Sequence, residues 1–319
     1  METEVFNFVP IYLESVLINT ILQFDLYFFN ITKQRFILYR ARHTRFTKKN
    51  LTGLLDNDVE ELYITQSDFS QYNHYLEENL GRIVDTPSLT TEKKANIIYR
   101  SARNLMEETM SKKIPAENLE RSRNFVNNTV RFILKEKDYF YDIINLTSHD
   151  YYTYTHSINV CIYALSVARR VGISSPHQLN LLGTGALLHD IGKSVIPIEI
   201  LSKKGPLNDA EWEIIKQHPQ QGVKLLEKHN ELPSSILEIV KCHHEKLDAS
   251  GYPDGLGGRE IPFYAKIVCI ADIFDALNTN RPYRDAADTF NSLEIMQVQF
   301  RNKIDVDIFK EFIRLFQKK

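Results

Sequence analysis

The chain has 319 residues, 43% of them hydrophobic and 25% charged, with a formal net charge of -2. That is enough apolar surface for a large domain and a smaller one, and the near-neutral charge excludes the broad cationic footprint that DNA or an anionic membrane requires. Cys161, Cys242 and Cys269 are too few and too scattered for a disulfide framework, so they are expected to be small buried residues of a cytoplasmic protein.

The N-terminal run "FVPIYLESVLINTILQFDLYFF" is interrupted by Glu14, Gln23 and Asp25, short of the ~20 apolar residues of a membrane span. No basic segment precedes it, so it does not read as a signal peptide. Residues 1–85 read as a small mixed α/β domain. "FDLYFFNI" and "RFILYRA", separated by Thr32, Lys33 and Gln34, predict a hairpin, and "EELYIT" predicts a third strand. "SDFSQYNHYLEENL" predicts a helix capped by Ser67. The basic stretch "RARHTRFTKK" reads as a solvated strand edge, and the isolated His43 and His74 as ordinary residues.

The polar segment "RIVDTPSLTTEKK" marks a boundary, followed by a helical linker over 86–115 and a helical domain over 116–319. Strand signals almost vanish after Thr91. Helices are predicted at about 92–112, 116–145, 148–171, 178–190, 208–227, 234–247, 262–279 and 304–317, with ends good to ~2–4 residues.

Five of these segments carry groups a metal could use. His149, Tyr152 and His156 share one helix face in "SHDYYTYTHSINV". In "GALLHDIGK" the pair His189 and Asp190 falls at a helix C-terminus, with Gly192 suited to a left-handed or tight turn and Lys193 opening the exit loop. Asn208 and Glu211 have capping-box spacing and start a helix that delivers His218, where Pro219 is expected to produce a kink. A serine cap in "SSILEIVKCHHEK" opens a helix leading to His243 and His244. Adjacent helical side chains diverge by about 100°, so both reach one ion only near a helix end or cleft. Asp272 sits inside the apolar helix "AKIVCIADIFDAL", where a carboxylate is costly unless paired or metal-bound, and Asp275 follows one turn later as support.

Imidazole and carboxylate without thiolate suit a borderline or moderately hard divalent ion. Five histidines and two aspartates exceed what one ion takes, so two ions are expected, roughly 3.5–4 Å apart, in the arrangement that activates a water and stabilises phosphoryl oxygens.

The segments "HDYYTYTHSINV", "LLHDIGK", "KQHPQQG" and "HHEKLDASGYPDGLGGREIPFYAKIVCIADIFDALNTNRPYR" resemble, in order and spacing, the HD-GYP family of HD-superfamily metal phosphodiesterases, over about residues 120–300. The resemblance implies an all-α HD-type bundle for the region it covers; residues 1–85 lie outside it, and with the small mixed domain read from their own pattern the chain is expected to be α+β overall. The resemblance also implies hydrolysis of cyclic di-GMP to linear pGpG, carried on to GMP in some members. Carried over by position, His156, His189, Asp190 and Asp272 hold one metal, and Asp190, His218, His243 and His244 the other. Iron is the first expectation for the two ions and manganese the second.

By the same resemblance Asp190 and Lys193 serve catalysis, and Lys193, Tyr252, Arg281 and Arg284 contact substrate. The loop Gly251-Tyr252-Pro253 forms either a substrate-side wall or a docking surface for diguanylate cyclase domains. Tyr152 stands where members with a third metal carry a glutamate, so two metals are expected, and Ala249 replaces a common glycine. If that glycine supplies a special backbone angle, turnover falls, and the alternative is a weakly active signalling protein that binds the nucleotide or a partner.

Overall fold

The computed structural model describes residues 7–57, 59, 61–110, 116–136, 139–144, 146, 153–203, 205–228, 232–279 and 288–317. The chain divides into two compact units, 1–101 and 102–319, and is α+β overall.

The N-terminal unit contains β1 (Phe8–Tyr12), β2 (Thr20–Ile21), β3 (Leu26–Asn30), β4 (Arg35–Arg40), β5 (Arg45–Phe46), α1 (Lys48–Leu55), β6 (Glu61–Thr65), α2 (Phe69–Glu78) and α3 (Leu80–Val84). The expected hairpin is β3 paired with β4, Phe28 opposite Ile37, and the expected third strand is β6. β6 lies between β3 and a strand the pattern reading missed, β1, in the antiparallel order β1-β6-β3-β4. Pro10 obscures β1, but this strand is at the sheet edge, where a residue without an N–H is tolerated.

Helix α2 begins after the 3-10 turn Gln66–Asp68, and Ser67 bonds Thr65 Oγ1 at 2.9 Å instead of capping it. Leu22, Phe24, Leu26, Leu62, Ile64, Tyr72 and Leu76 are all buried. In the basic stretch, Arg42 is occupied structurally, reaching Asp25 and Asp68 at 3.1 Å. A cavity of about 880 Å³ opens between Leu13, Leu17, Leu51, Leu55 and Arg82, away from any cluster of metal-ligating groups among the described residues.

Helix α4 (Thr91–Thr109) contains the division between the units. The second unit continues with α5 (Ala116–Lys135), α6 (Tyr139–Ile144), α7 (Thr153–Arg170), α8 (Pro176–Leu188), α9 (Ile198–Leu201), α10 (Asp209–Ile215), α11 (His218–Glu227), α12 (Ser234–Cys242), α13 (Phe263–Asn278), α14 (Thr289–Gln299) and α15 (Val306–Ile313). Helix α8 is central and packs against α5, α7 and α12, while α13 packs on α7. The sequence accounts for this placement: after an exposed first turn with His177 and Gln178, the run Leu182–Leu188 has no charged residue and is buried throughout, so that part of α8 is covered on all sides.

The predicted helix 208–227 is two helices, α10 and α11, separated where the Pro219 kink is expected, with His218 the first residue of the second. The capping box is present: Asn208 Oδ1 accepts from Glu211 N at 2.8 Å, and Glu211 Oε2 accepts from Asn208 N at 2.8 Å. Helix α12 starts without a serine cap, its N-cap position being Pro233. Helix α14 was missed because Phe290, Leu293, Ile295 and Val298 point in several directions and show no clean stripe. The three cysteines are free and buried, as expected.

Candidate metal centre

Helix ends supply most of the predicted groups, and the middle of one helix supplies Asp272. His156 projects from the second turn of α7. His189 is the C-cap of α8, with Asp190 next in the chain. His243 is the C-cap of α12, with His244 beyond it, so the adjacent pair sits at the kind of open end that lets both rings turn inward. Asp272 comes from the middle of α13. Asp190, His218, His243 and His244 form one group of ligand-capable atoms within 4.8 Å of one another, and His156, His189 and Asp272 form a second.

Asp190 faces both groups. Its Oδ2 is 3.6 Å from His156 Nε2 and 3.5 Å from His189 Nε2, whereas its Oδ1 is 3.2 Å from His218 Nε2 and 3.9 Å from His243 Nε2. His156 Nε2 also approaches Asp272 Oδ1 at 3.1 Å, and His244 Nδ1 is 3.5 Å from Asp272 Oδ2.

The opposite nitrogens of four rings are anchored. Nδ1 of His189, His218 and His243 lies 2.7, 2.7 and 2.8 Å from the carbonyl oxygens of Ala186, Ile215 and Val240, and Nδ1 of His156 lies 2.7 Å from Asp275 Oδ2. Each partner is an acceptor, so Nδ1 carries the proton, and in a neutral ring Nε2 turns a lone pair to the centre. The Nε2 atoms of His218 and His243 are only 3.2 Å apart, and the buried Nε2 of His189 makes no hydrogen bond. Converging lone pairs around a buried carboxylate repel unless a cation lies among them, so the donor set fits divalent metal.

Burial pulls His243 and His244 well below the usual imidazole range, and neighbouring imidazoles push the same way. Burial alone would raise the Asp190 pKa, but the Lys193 ammonium, His189 and His218 outweigh it and hold the carboxyl well below its ordinary value. Asp272 is likewise kept ionised against burial, chiefly by its hydrogen bond to His156. For His156, burial works downward, and the hydrogen bonds to Asp272 and Asp275 overcome it and raise the ring to about 10.

A cavity of about 500 Å³ opens on the centre, with Lys193, His218, His244, Lys246, Tyr252 and Asp272 on its wall. Lys193 Nζ reaches Asp190 Oδ2 at 2.5 Å. The Tyr252 ring lies 4.6 Å from the His244 ring, tilted by 31°, so the loop tyrosine faces the cavity. Gly251 lets this loop lie on the backbone before it, since a Cβ there would come within 2.5 Å of Glu245 Cα. Ala249 holds the left-handed conformation, φ +61°, in place of the common glycine.

Of the two placements expected for Gly192 the tight turn holds, the 3-10 turn Ile191–Val195, and the left-handed conformation does not; its missing side chain also permits a close approach, because a Cβ would fall 1.9 Å from His218 O. His149, Tyr152, Arg281 and Arg284 lie outside the described residues. Two features escaped the sequence reading. Asn159, one turn after His156, donates to Asp275 Oδ1 at 2.8 Å, and Lys246 donates to Cys269 Sγ at 3.0 Å. The i, i+3 spacing from His156 to Asn159 was a usable signal, whereas nothing local pairs Lys246 with Cys269.

A helical bundle whose helices deliver imidazoles and carboxylates to one buried point defines an HD-type domain with a centre that could hold divalent metal. The chain belongs to the HD domain family, whose pattern matches residues 138–308.

Among its relatives is a cyclic di-GMP phosphodiesterase of Pseudomonas aeruginosa, 30% identical over 182 residues that make up 57% of this chain and 44% of that protein. A 3'3'-cGAMP-specific phosphodiesterase of Vibrio cholerae is 39% identical over 158 residues, 50% of this chain and 34% of that protein. The matched stretch thus covers less than half the length of either relative. Bd1817, an HDG"Y"P protein from Bdellovibrio bacteriovorus, shares the fold with a TM-score of 0.67 over 98% of this chain and 100% of its own, at 21% identity. The HD-GYP resemblance of the sequence and the α+β fold class are both borne out.

Proposed function

We propose that the protein is a metal-dependent phosphodiesterase that opens cyclic di-GMP to linear pGpG. The observation that carries this reading is one buried carboxylate, Asp190, facing two groups of imidazoles, with His218, His244 and Asp272 of those groups lining an accessible cavity. His156, His189, Asp190 and Asp272 would hold one divalent ion, and Asp190, His218, His243 and His244 a second; the nitrogen and oxygen donors suit a borderline or moderately hard ion, and the family resemblance puts iron first and manganese next. Such a pair supplies Lewis acidity and a water activated for attack on phosphorus.

The chain's own residues do the positioning. The carbonyl and carboxylate acceptors at Nδ1 fix the ring orientations, so little reorganisation accompanies reaction. Lys193, at the cavity edge, offers an ammonium to a phosphoryl oxygen. Tyr252 forms a wall on the substrate side, which favours that role for the Gly251-Tyr252-Pro253 loop over cyclase docking. By elimination the sheet unit is assigned regulation, since both ligand groups among the described residues lie in the second unit.

The metal-loaded chain is expected to convert cyclic di-GMP to pGpG, with product chromatography showing whether GMP follows. Asp190→Ala is expected to abolish the conversion, and a fully active Asp190→Ala variant would refute the site. The Ala249 backbone favours one second reading, nucleotide binding with little turnover. Tight binding with no product over hours would establish it.

A further inference from the structure

The chain's single tryptophan is half-exposed, with 44% of its surface open. Its open ring surface is available to a planar ligand. Trp212 lies on the wall between two cavities. One is the 500 Å³ cavity over the candidate metal centre, and the other, of about 340 Å³, is lined by Gly205, Pro206, Leu207, Asp209 and Trp212. Gly205, Leu207 and Trp212 belong to both, so the spaces adjoin along the tryptophan. The Trp212 ring is 6.3 Å from Tyr252, which is 4.6 Å from His244. The indole is thus two ring contacts from a candidate ligand, a span suited to a nucleoside extending from its phosphate.

The mounting of Trp212 is rigid. The Asn208–Glu211 capping box closes the first turn of α10, Trp212 N donates to Asn208 O at 2.9 Å, and Lys203 Nζ reaches both Glu211 oxygens at 2.8 and 2.5 Å. Asp209 stands on the same side of α10, three residues before Trp212, and is exposed within the smaller cavity.

We infer that Trp212 and Asp209 form a purine-binding subsite for one base of the cyclic dinucleotide, with a preference for guanine. This rests on the phosphodiesterase reading above. The indole supplies a stacking face, which every base can use. The carboxylate supplies the discrimination: guanine presents two adjacent donors, N1–H and the exocyclic amine, to its two oxygens, whereas adenine places the N1 lone pair against one of them.

The test is a steady-state comparison of cyclic di-GMP, 3'3'-cGAMP and cyclic di-AMP on the metal-loaded full chain, with stopped-flow tryptophan fluorescence reading binding before turnover. Mixing with cyclic di-GMP is expected to quench the Trp212 signal. Trp212→Ala is expected to raise KM for cyclic di-GMP about tenfold, with a much smaller change in kcat, and Trp212→Phe to recover most of the loss. Asp209→Asn is expected to lower the kcat/KM ratio of cyclic di-GMP to cyclic di-AMP about tenfold.

No quench together with an unchanged KM in Trp212→Ala would overturn the inference while wild-type turnover left the phosphodiesterase reading intact. A base preference unaltered by Asp209→Asn would overturn the guanine assignment. Wild-type protein that binds with quenching but cleaves none of the three would defeat the phosphodiesterase reading and keep the subsite.

Discussion

Asp275 is not among the seven converging groups, yet it holds one of them. Its two oxygens accept from His156 Nδ1 at 2.7 Å and Asn159 Nδ2 at 2.8 Å, so the carboxylate fixes the ring that reaches Asp190 and Asp272. Removing such a supporting acceptor typically costs 10–100-fold in metal affinity. Asp275→Ala is therefore expected to weaken binding at the His156 side by roughly that factor, measured by competition with a chromophoric chelator. His156 also sets a proton linkage. With its pKa raised to about 10, the ring of the metal-stripped protein is protonated throughout the neutral range. An ion must displace that proton, whereas His243 and His244, held low by burial, are already neutral. Metal affinity should thus rise with pH, about tenfold per unit from this group, until the pH passes about 10. Calorimetry at pH 7 in buffers of different ionisation enthalpy should find proton release, and proton uptake would contradict the assignment. At Ala249 the positive φ is strained for a residue with a Cβ, so Ala249→Gly is expected to stabilise the protein by about 1 kcal/mol, read from denaturant midpoints.

The elements show why some of the site was legible and some was not. The ligands could be read because histidines and aspartates interrupt otherwise apolar helical runs, as Asp272 does in α13. The acceptors on Ala186, Ile215 and Val240 could not be read, because backbone carbonyls leave no mark in a sequence until the helix ends are placed. Gly192 is legible as a tight-turn residue but not as a packing contact. Its missing side chain lets the turn after Asp190 press against the start of α11, and an added Cβ would also meet Gly222 N at 2.6 Å. Gly192→Ala is expected to push α11 away from Asp190 and to cost ~1–3 kcal/mol as overpacking. The same change should weaken metal binding through His218, and a variant with unaltered melting and metal affinity would show that the contact is not required.

For the whole molecule, the resemblance in the sequence covered the helical bundle and was silent about the sheet unit, where β1 was hidden by Pro10 and the cavity of about 880 Å³ has no motif to announce it. Among the described residues no helix is long and apolar enough to cross a membrane. The chain-wide arrangement converges on one claim, that separate helices hold two ions around Asp190 for phosphodiester hydrolysis. The most direct measurement is anaerobic titration of the metal-stripped full chain with ferrous or manganous ion while cyclic di-GMP turnover is followed. The account predicts no turnover without metal, a rise that levels off at about two ions per chain, and no activity at any loading in Asp190→Ala. Turnover by the stripped protein, or a plateau after one ion that Asp190→Ala shares, would contradict it.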